Sequence, residues 1–269
     1  MAELLLRQEI ALRLTVFLGM LAAMAMWELA SPQRRQDIPR LLRWGNNLAL
    51  VVVDTVAVRL IFPLAAVGVA VWADAQGLGL FALVGGPDLL HVVLAMLVLD
   101  LAIYGQHVMF HAVPWLWRLH RMHHSDPACD ASTGLRFHPV EVILSMAIKM
   151  AVIVVIGAPP LAVLLFEVIL NGASIFNHAN IRLPARVDRV LRWVVVTPDM
   201  HRIHHSERKE ETNSNYGFSV PWWDRLLGTY RAAPKDGQSG MILGIGQFGT
   251  VRDQWLDRLL WQPLRGKGR

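Results

Sequence analysis

The stretch "DLAIYGQHVMFHAVPWLWRLHRMHHSD", residues 100–126, begins inside an apolar segment and ends in a run of histidines. The segment it completes runs from Leu89 to about Val113, long enough to cross a hydrocarbon core of about 30 Å, which takes roughly 20 apolar residues as a helix. Its last part, His-Arg-x-His-His-Ser, returns as "MHRIHHSE" at residues 200–207. The chain thus joins a membrane-spanning helix to a histidine-rich end and writes that end twice.

Working outward, further apolar segments run from Ile10 to Leu29 and from Leu48 to Ala73, and residues 140–176 hold two more, split by Pro159-Pro160 and expected as a tight hairpin. With 54% hydrophobic and 17% charged residues over 269 positions and a mean hydropathy of +0.38, the chain is too apolar for an ordinary soluble domain. The expected fold is all-α and integral to the membrane, with about four to five transmembrane or re-entrant helices and a cytoplasmic helical cap. It reads as a single membrane domain over 1–269: N-terminal transmembrane helices over 1–99, a histidine region over 100–230 and a cytoplasmic C-terminal tail over 231–269. The first segment lacks a small-residue cleavage site and is followed by "SPQRRQDIPRLLRW", so it is expected to stay.

Loop charges set an orientation. The 31–47 loop carries Arg34, Arg35, Arg40 and Arg43, whereas the 74–88 loop carries Asp74 and Asp88 and no Lys or Arg. The positive-inside rule places the first loop in the cytoplasm and brings both histidine runs to that side. The protein is therefore expected to be multi-pass, in a bacterial inner membrane, with its histidines facing the cytoplasm. The formal charge of +5 is read as topology, and no nucleic-acid partner is expected, because the arginines cluster beside apolar segments. Cys129 is the single cysteine. Neither a disulfide framework nor a cysteine-ligated iron–sulfur cluster can be built from one thiol.

Of eleven histidines, ten fall between 107 and 205: His107, His111, His120, His123, His124, His138, His178, His201, His204 and His205. On helices, His107/His111 share a face at i, i+4. His120/His123/His124 and His201/His204/His205 follow i, i+3, i+4, expected to converge in threes. Leaving ten such groups buried without partners would cost roughly 10 to 30 kcal/mol, comparable to or above a typical stability of about 5 to 15 kcal/mol. A lone histidine such as His91 reads as structural. A metal is the economical partner for the rest: imidazole suits iron, zinc, copper and nickel, and the number of nitrogens exceeds what one ion holds.

His107-x-x-x-His111, His120-x-x-His123-His124 and His201-x-x-His204-His205 resemble the histidine boxes of the fatty acid hydroxylase and sterol desaturase superfamily. The resemblance takes in "TGLRFHPVE", "NHANIRLP", "TPDMHRIHH" and "NYGFSVPWWDRLLGTY". It implies an integral-membrane, non-haem di-iron oxygenase acting on lipids, with two iron ions (Fe2+/Fe3+) held by the ten histidines and O2 as co-substrate. Zinc is a substitute metal. Some members carry a further histidine where this chain has Ser174, and His138 is the candidate for the missing nitrogen. Hydroxylation of a membrane lipid is the favoured outcome, desaturation by the same cage the alternative, and a redox-inert zinc protein the alternative of another class. Fatty acyl chains, sterol-like rings, carotenoids and lipid head groups all fit as substrates. With one cysteine and no flavin or haem segment, electrons are expected from an external donor of ferredoxin or cytochrome b5 type with its reductase.

Around the ligands, Asp126, Glu141 and Asp199 are candidates to accept the outer N–H of a ligand imidazole. Asp100 and Tyr104 share a helical stripe with His107 and His111, Asp100 lying about 10 Å from His107 along the axis at 1.5 Å per residue. They are candidates for positioning or for contact with a polar substrate group. Asp54 and Arg59 are expected to pair, Trp222 and Trp223 to anchor the cap at the interface, and 186–193 to form an amphipathic surface helix.

Overall fold

The structure, a computed structural model, describes residues 2–266, and these are helical with no strand among them. In order come α1 (Ala2–Arg7), α2 (Glu9–Ala30), α3 (Arg40–Ile61), α4 (Ala66–Ala75), α5 (Leu80–Val84), α6 (Asp88–Ala112), α7 (Pro114–His124), α8 (Pro139–Ile156) and α9 (Pro160–His178). The cap adds α10 (Ala185–Leu191), α11 (Pro198–His204), α12 (Lys209–Thr212), α13 (Trp222–Leu226), α14 (Gly237–Gly240) and α15 (Leu256–Trp261).

Five stretches are long and apolar enough to cross a membrane: Glu9–Ala30, Arg40–Val84, Asp88–Ala112, Pro139–Ile156 and Pro160–His178. The second differs from the single 48–73 span expected. α3 stops at Ile61 because Phe62, preceding Pro63, is extended (φ −112°, ψ 105°), as the clash with a following proline ring demands. The ten residues of α4 then pack separately against α8 and α9. Ala66, Ala70 and Ala73 are fully buried there, small side chains that let helices approach closely.

The expected hairpin is present, with both arms of spanning length. Gly157 closes α8 in the left-handed conformation (φ 67°, ψ 48°) and Pro160 opens α9 at its first position, the usual asymmetry of glycine after a helix and proline at its start. A Cβ on Gly79 would lie 2.1 Å from the Gly157 nitrogen, so the two glycines let the α4–α5 turn seat on the hairpin. His91 stacks on Phe81 and bonds the Gly85 carbonyl, a structural role as expected.

Between the spans, Glu167 on α9 binds Lys149 from α8 and Arg13 from α2, the latter at 2.6 Å. The expected Asp54–Arg59 pair does not form among the described residues. Five residues along a helix are about 140° apart, so Asp54 is buried while Arg59 is exposed.

One end of the bundle carries the cap. The C-terminal ends of α2, α6 and α9 and the N-terminal ends of α3 and α8 meet there. Arg34 reaches the Met241 carbonyl, and Pro32 and Ile181 form an isolated bridge. α10 covers most of the expected amphipathic segment, with Asp188 buried and accepting from Thr197 at 2.6 Å, and Val187, Val190 and Trp193 exposed. The C-terminal segment packs back rather than trailing: Leu259 is buried with Leu50 and Met122, and Gln254 accepts from Arg136.

Candidate metal centre

Four helices deliver the histidines. The stripe Asp100, Tyr104, His107 and His111 of α6 is buried, as its spacing requires. Val113 is extended before Pro114, which opens α7 at its first position, so the chain folds sharply back and sets His120, His123 and His124 beside His107 and His111. Thr197 caps α11 by accepting from the Met200 N–H at 3.3 Å, and Pro198 starts the helix that carries His201 and His204. α9 ends on His178.

Nine imidazoles form two groups. His107, His111, His120, His124 and His204 make one; His123, His178, His201 and His205 make the other; in each, one nitrogen per residue lies within 4.8 Å of the others. Each of the two HxxHH runs is therefore divided, while His107 and His111 stay together, which corrects the expectation of three convergent nitrogens per run. His120 and His124, four apart, point to the first group, while His123 points to the second. In the later run His201 and His205 share the second group and His204 joins the first. Adjacent helical residues are 100° apart, so a His-His pair straddles two sites where an i, i+4 pair serves one.

The hydrogen bonds show what the groups can hold. Nδ1 of His107 donates to the Tyr216 carbonyl at 2.7 Å, Nδ1 of His204 to Ser214 at 2.8 Å and Nδ1 of His178 to Ser174 at 2.7 Å. His120 Nδ1 meets the Glu141 carboxylate at 2.6 Å and His123 Nδ1 the Arg136 carbonyl at 3.3 Å. A carbonyl can only accept, so His107, His123, His178 and His204 each carry a proton on Nδ1 and, as neutral rings, present a bare Nε2 lone pair. Yet those Nε2 atoms lie 3.0 Å apart between His107 and His204 and 3.1 Å between His123 and His178. Lone pair against lone pair at that distance is repulsive without a cation between them. Both ring nitrogens of buried His205 also lack a hydrogen-bond partner, at a cost of about 1 to 3 kcal/mol each. Burial first, and the neighbouring imidazoles second, hold His123, His124, His201 and His205 well below the ordinary histidine pKa. They are neutral at pH 7, the state that binds a metal. The donor set fits two metal ions.

His138 is not brought into either group. Its Nδ1 caps α8 by accepting from the Val140 N–H at 3.2 Å and its Nε2 donates to the Leu260 carbonyl at 3.1 Å. Lying immediately before Pro139, it is committed to starting a helix. Ser174 needs no imidazole in its place, since its own carbonyl orients His178 one turn on. Gly134 makes that fit possible: a Cβ there would sit 2.4 Å from the Ser174 oxygen.

Of the three carboxylates expected beside ligands, Glu141 alone reaches one. Asp126 instead takes a two-pronged bond from Arg43 at 2.9 and 3.0 Å, and Asp199 pairs with Arg202 at 2.5 Å. Asp100 accepts from Trp223 Nε1 at 2.8 Å and Tyr104 bonds Thr229 at 2.8 Å, so both brace the loop after the last box. Trp222 Nε1 donates to the Trp193 carbonyl at 2.8 Å, joining the partly exposed Trp222 to the turn that follows α10.

Residues that motif reading does not single out complete the site. Phe218 packs on the core between the spans and lies 5.4 Å from His107 and 6.0 Å from His201, ring centre to ring centre, so it bridges both groups. Phe137 stacks on His123 at 4.6 Å. Phe218, on the side of the spanning helices, and Phe137, 6.4 Å from it ring centre to ring centre, thus lay two aromatic faces against the histidines. The orienting carbonyls of Ser174, Ser214 and Tyr216 carry no side-chain signal at all.

The geometry agrees with the comparisons. A family model described as fatty acid hydroxylase matches residues 92–229. The chain is 30% identical to an ornithine lipid hydroxylase of Rhizobium tropici over 183 residues, covering 68% of this chain and 53% of the relative. It is 28% identical to human cholesterol 25-hydroxylase over 156 residues, 55% of each chain, and 26% identical to human alkylglycerol monooxygenase over 166 residues, 60% of this chain and 35% of the relative. The chain thus spans about half the length of the first two relatives and about a third of the last. No solved structure matches it. With the matched region holding every one of the nine clustered histidines, the chain belongs to the fatty acid hydroxylase family.

Proposed function

We propose that the protein is an O2-dependent, non-haem di-iron monooxygenase that hydroxylates an unactivated C–H bond of a membrane lipid. The observation that carries this reading is the pair of all-imidazole groups gathered at the cap end of the spanning helices, three of their members on those helices themselves. The names of the relatives favour hydroxylation over desaturation, and they offer ornithine lipids, cholesterol-like sterols and alkylglycerols as substrate classes.

In this reading His107, His111, His120, His124 and His204 hold one iron, and His123, His178, His201 and His205 the other. Bound iron would supply the redox chemistry by which O2, two electrons, two protons and C–H become C–OH and water. The chain supplies orientation: backbone carbonyls and Glu141 fix the outer nitrogens, which sets each ring before metal arrives. Phe137 and Phe218 present an apolar surface where a lipid carbon approaches from the bundle, and burial of the nine histidines limits the access of water.

We further propose that this end faces the cytoplasm of a bacterial inner membrane. Arg34, Arg35, Arg40 and Arg43 lie at the cap end, and the Asp74–Asp88 turn at the other. In a background lacking Cys129, Glu210→Cys is expected to label only from inside and Asp74→Cys only from outside; the reverse pattern would invert the topology.

Glu141→Ala is expected to weaken metal binding about 10- to 100-fold, the usual cost of removing a group that orients a ligand. His138→Ala is expected to leave metal content intact and cost about 1 kcal/mol as a lost helix cap. Metal titration and thermal unfolding check the pair; loss of an ion in His138→Ala would restore it to the ligand set. The function itself is tested by reconstituting purified protein with lipid, O2 and a ferredoxin or cytochrome b5-type donor with its reductase. Iron-loaded protein should form an oxygenated lipid only when the donor is present. Turnover with zinc alone, which has no redox chemistry, would reject the reading.

A further inference from the structure

Electrons must reach two buried groups, against which Phe218 lies on the side of the spanning helices. On the cap side lies a cavity of about 280 Å³ whose lining includes Trp117, Arg121, Glu207, Lys209 and the 244–247 loop, with no contribution from the five spanning stretches. At that volume it is smaller than the roughly 300 to 1,000 Å³ of sites that enclose small molecules, and it suits an anchoring side chain of a larger partner. Its inner wall is the distinctive part. Trp117 is buried, and its ring lies 5.0 Å from His111 and 5.4 Å from His124, ring centre to ring centre. One indole therefore touches both the cavity and two members of the five-histidine group.

Charge indicates the partner. Lys209 is exposed at the rim and buried Arg121 stands in the wall, against Glu207 in the lining and exposed Glu210 beside Lys209. Arg118 is held beside them by the Pro263 carbonyl at 2.7 Å, and exposed Arg265 lends its carbonyl to Arg121. The C-terminal segment thereby fixes a basic surface around the opening. A basic rim over a redox site attracts an acidic partner and speeds its encounter.

We propose that this cavity is the docking site of an acidic iron–sulfur or haem electron-carrier protein, and that Trp117 conducts its electrons to the histidine groups. The inference rests on the di-iron reading above. Each visit transfers one electron, the carrier's iron passing from the ferrous to the ferric state. Two visits supply the two electrons that, with two protons from water, convert O2 and C–H to C–OH and water. Lipid and electrons then use opposite sides of the cage.

The test uses the full chain in lipid nanodiscs with two probes, a two-iron plant-type ferredoxin and a soluble cytochrome b5 domain, and with dithionite plus a viologen mediator as a reductant that needs no docking site. Lys209→Glu is expected to raise the Kd of whichever probe supports turnover about tenfold at low salt, with a weaker effect at high salt. Lys235→Glu, outside the cavity lining, should raise it clearly less. Trp117→Leu is expected to retain the Kd and lower the ratio of donor-driven to dithionite-driven reduction at least about tenfold, with Trp117→Phe intermediate. If Lys209→Glu changes the Kd no more than Lys235→Glu does, or if Trp117→Leu keeps the ratio, the port lies elsewhere. If the iron-loaded wild type accepts no electrons even from dithionite, the di-iron reading falls and takes the port with it.

Discussion

Replacing His205 by alanine is expected to strip the metal from the second group and lower turnover on the order of a thousandfold or more, beyond the 10- to 100-fold typical of changes behind the ligands. The group contains four imidazoles, so the variant leaves three, and His205 has no hydrogen bond on either nitrogen that could tie it to another role. His124→Ala leaves four of five imidazoles in the first group and should therefore hold its metal better while still losing turnover. Metal analysis of the two purified variants checks the asymmetry. Full occupancy and full turnover in both would show that the histidines are not a cage.

The second large effect is on stability. Arg43 is fully buried, bonded to both oxygens of Asp126 and, at 2.7 Å, to Asp130. These bonds tie α3 to the segment joining α7 to α8. Burial would raise the Asp126 carboxyl, but Arg43 and Arg136 hold it well below the usual carboxylate range. Arg43→Met leaves two buried carboxylates short of their counter-ion, and breaking a buried pair from one side costs about 3 to 5 kcal/mol. Thermal unfolding in detergent should show a markedly destabilised variant. Arg43→Lys is expected to recover part of the loss, since an ammonium keeps the charge without the planar fork. A stable Arg43→Met protein would contradict this account of how the cap is held.

What was legible in the sequence follows from periodicity. His107 and His111 four apart, and the stripe they share with Asp100 and Tyr104, state a buried helical face directly, and the structure keeps it. Glu141 was legible too, as a carboxylate next to a histidine-rich segment. Partnership across space was not. Nothing in His120-x-x-His123-His124 tells which nitrogens belong to which ion, because that depends on where α9 and α11 cross α7. Asp126 and Glu141 look equivalent in sequence, yet Arg43, 83 residues away, claims the first. The structure leaves His138 outside both groups for a local reason: the proline after it starts a helix, and its ring caps that helix. Pro63 carried a readable signal, the extended residue before it, that hydropathy over 48–73 obscured.

The most direct measurement of the central claim is oxygen incorporation from isotopically heavy O2. Purified protein loaded with iron, supplied with membrane lipid extract, a ferredoxin or cytochrome b5-type donor and its reductase, is incubated under the heavy gas in ordinary water, and the lipids are analysed by mass spectrometry. The account predicts one heavy oxygen atom in a new hydroxyl group, absent when iron is replaced by zinc or when either His124 or His205 is alanine. A lipid product whose new oxygen comes from water, or one formed equally well with zinc, would contradict it.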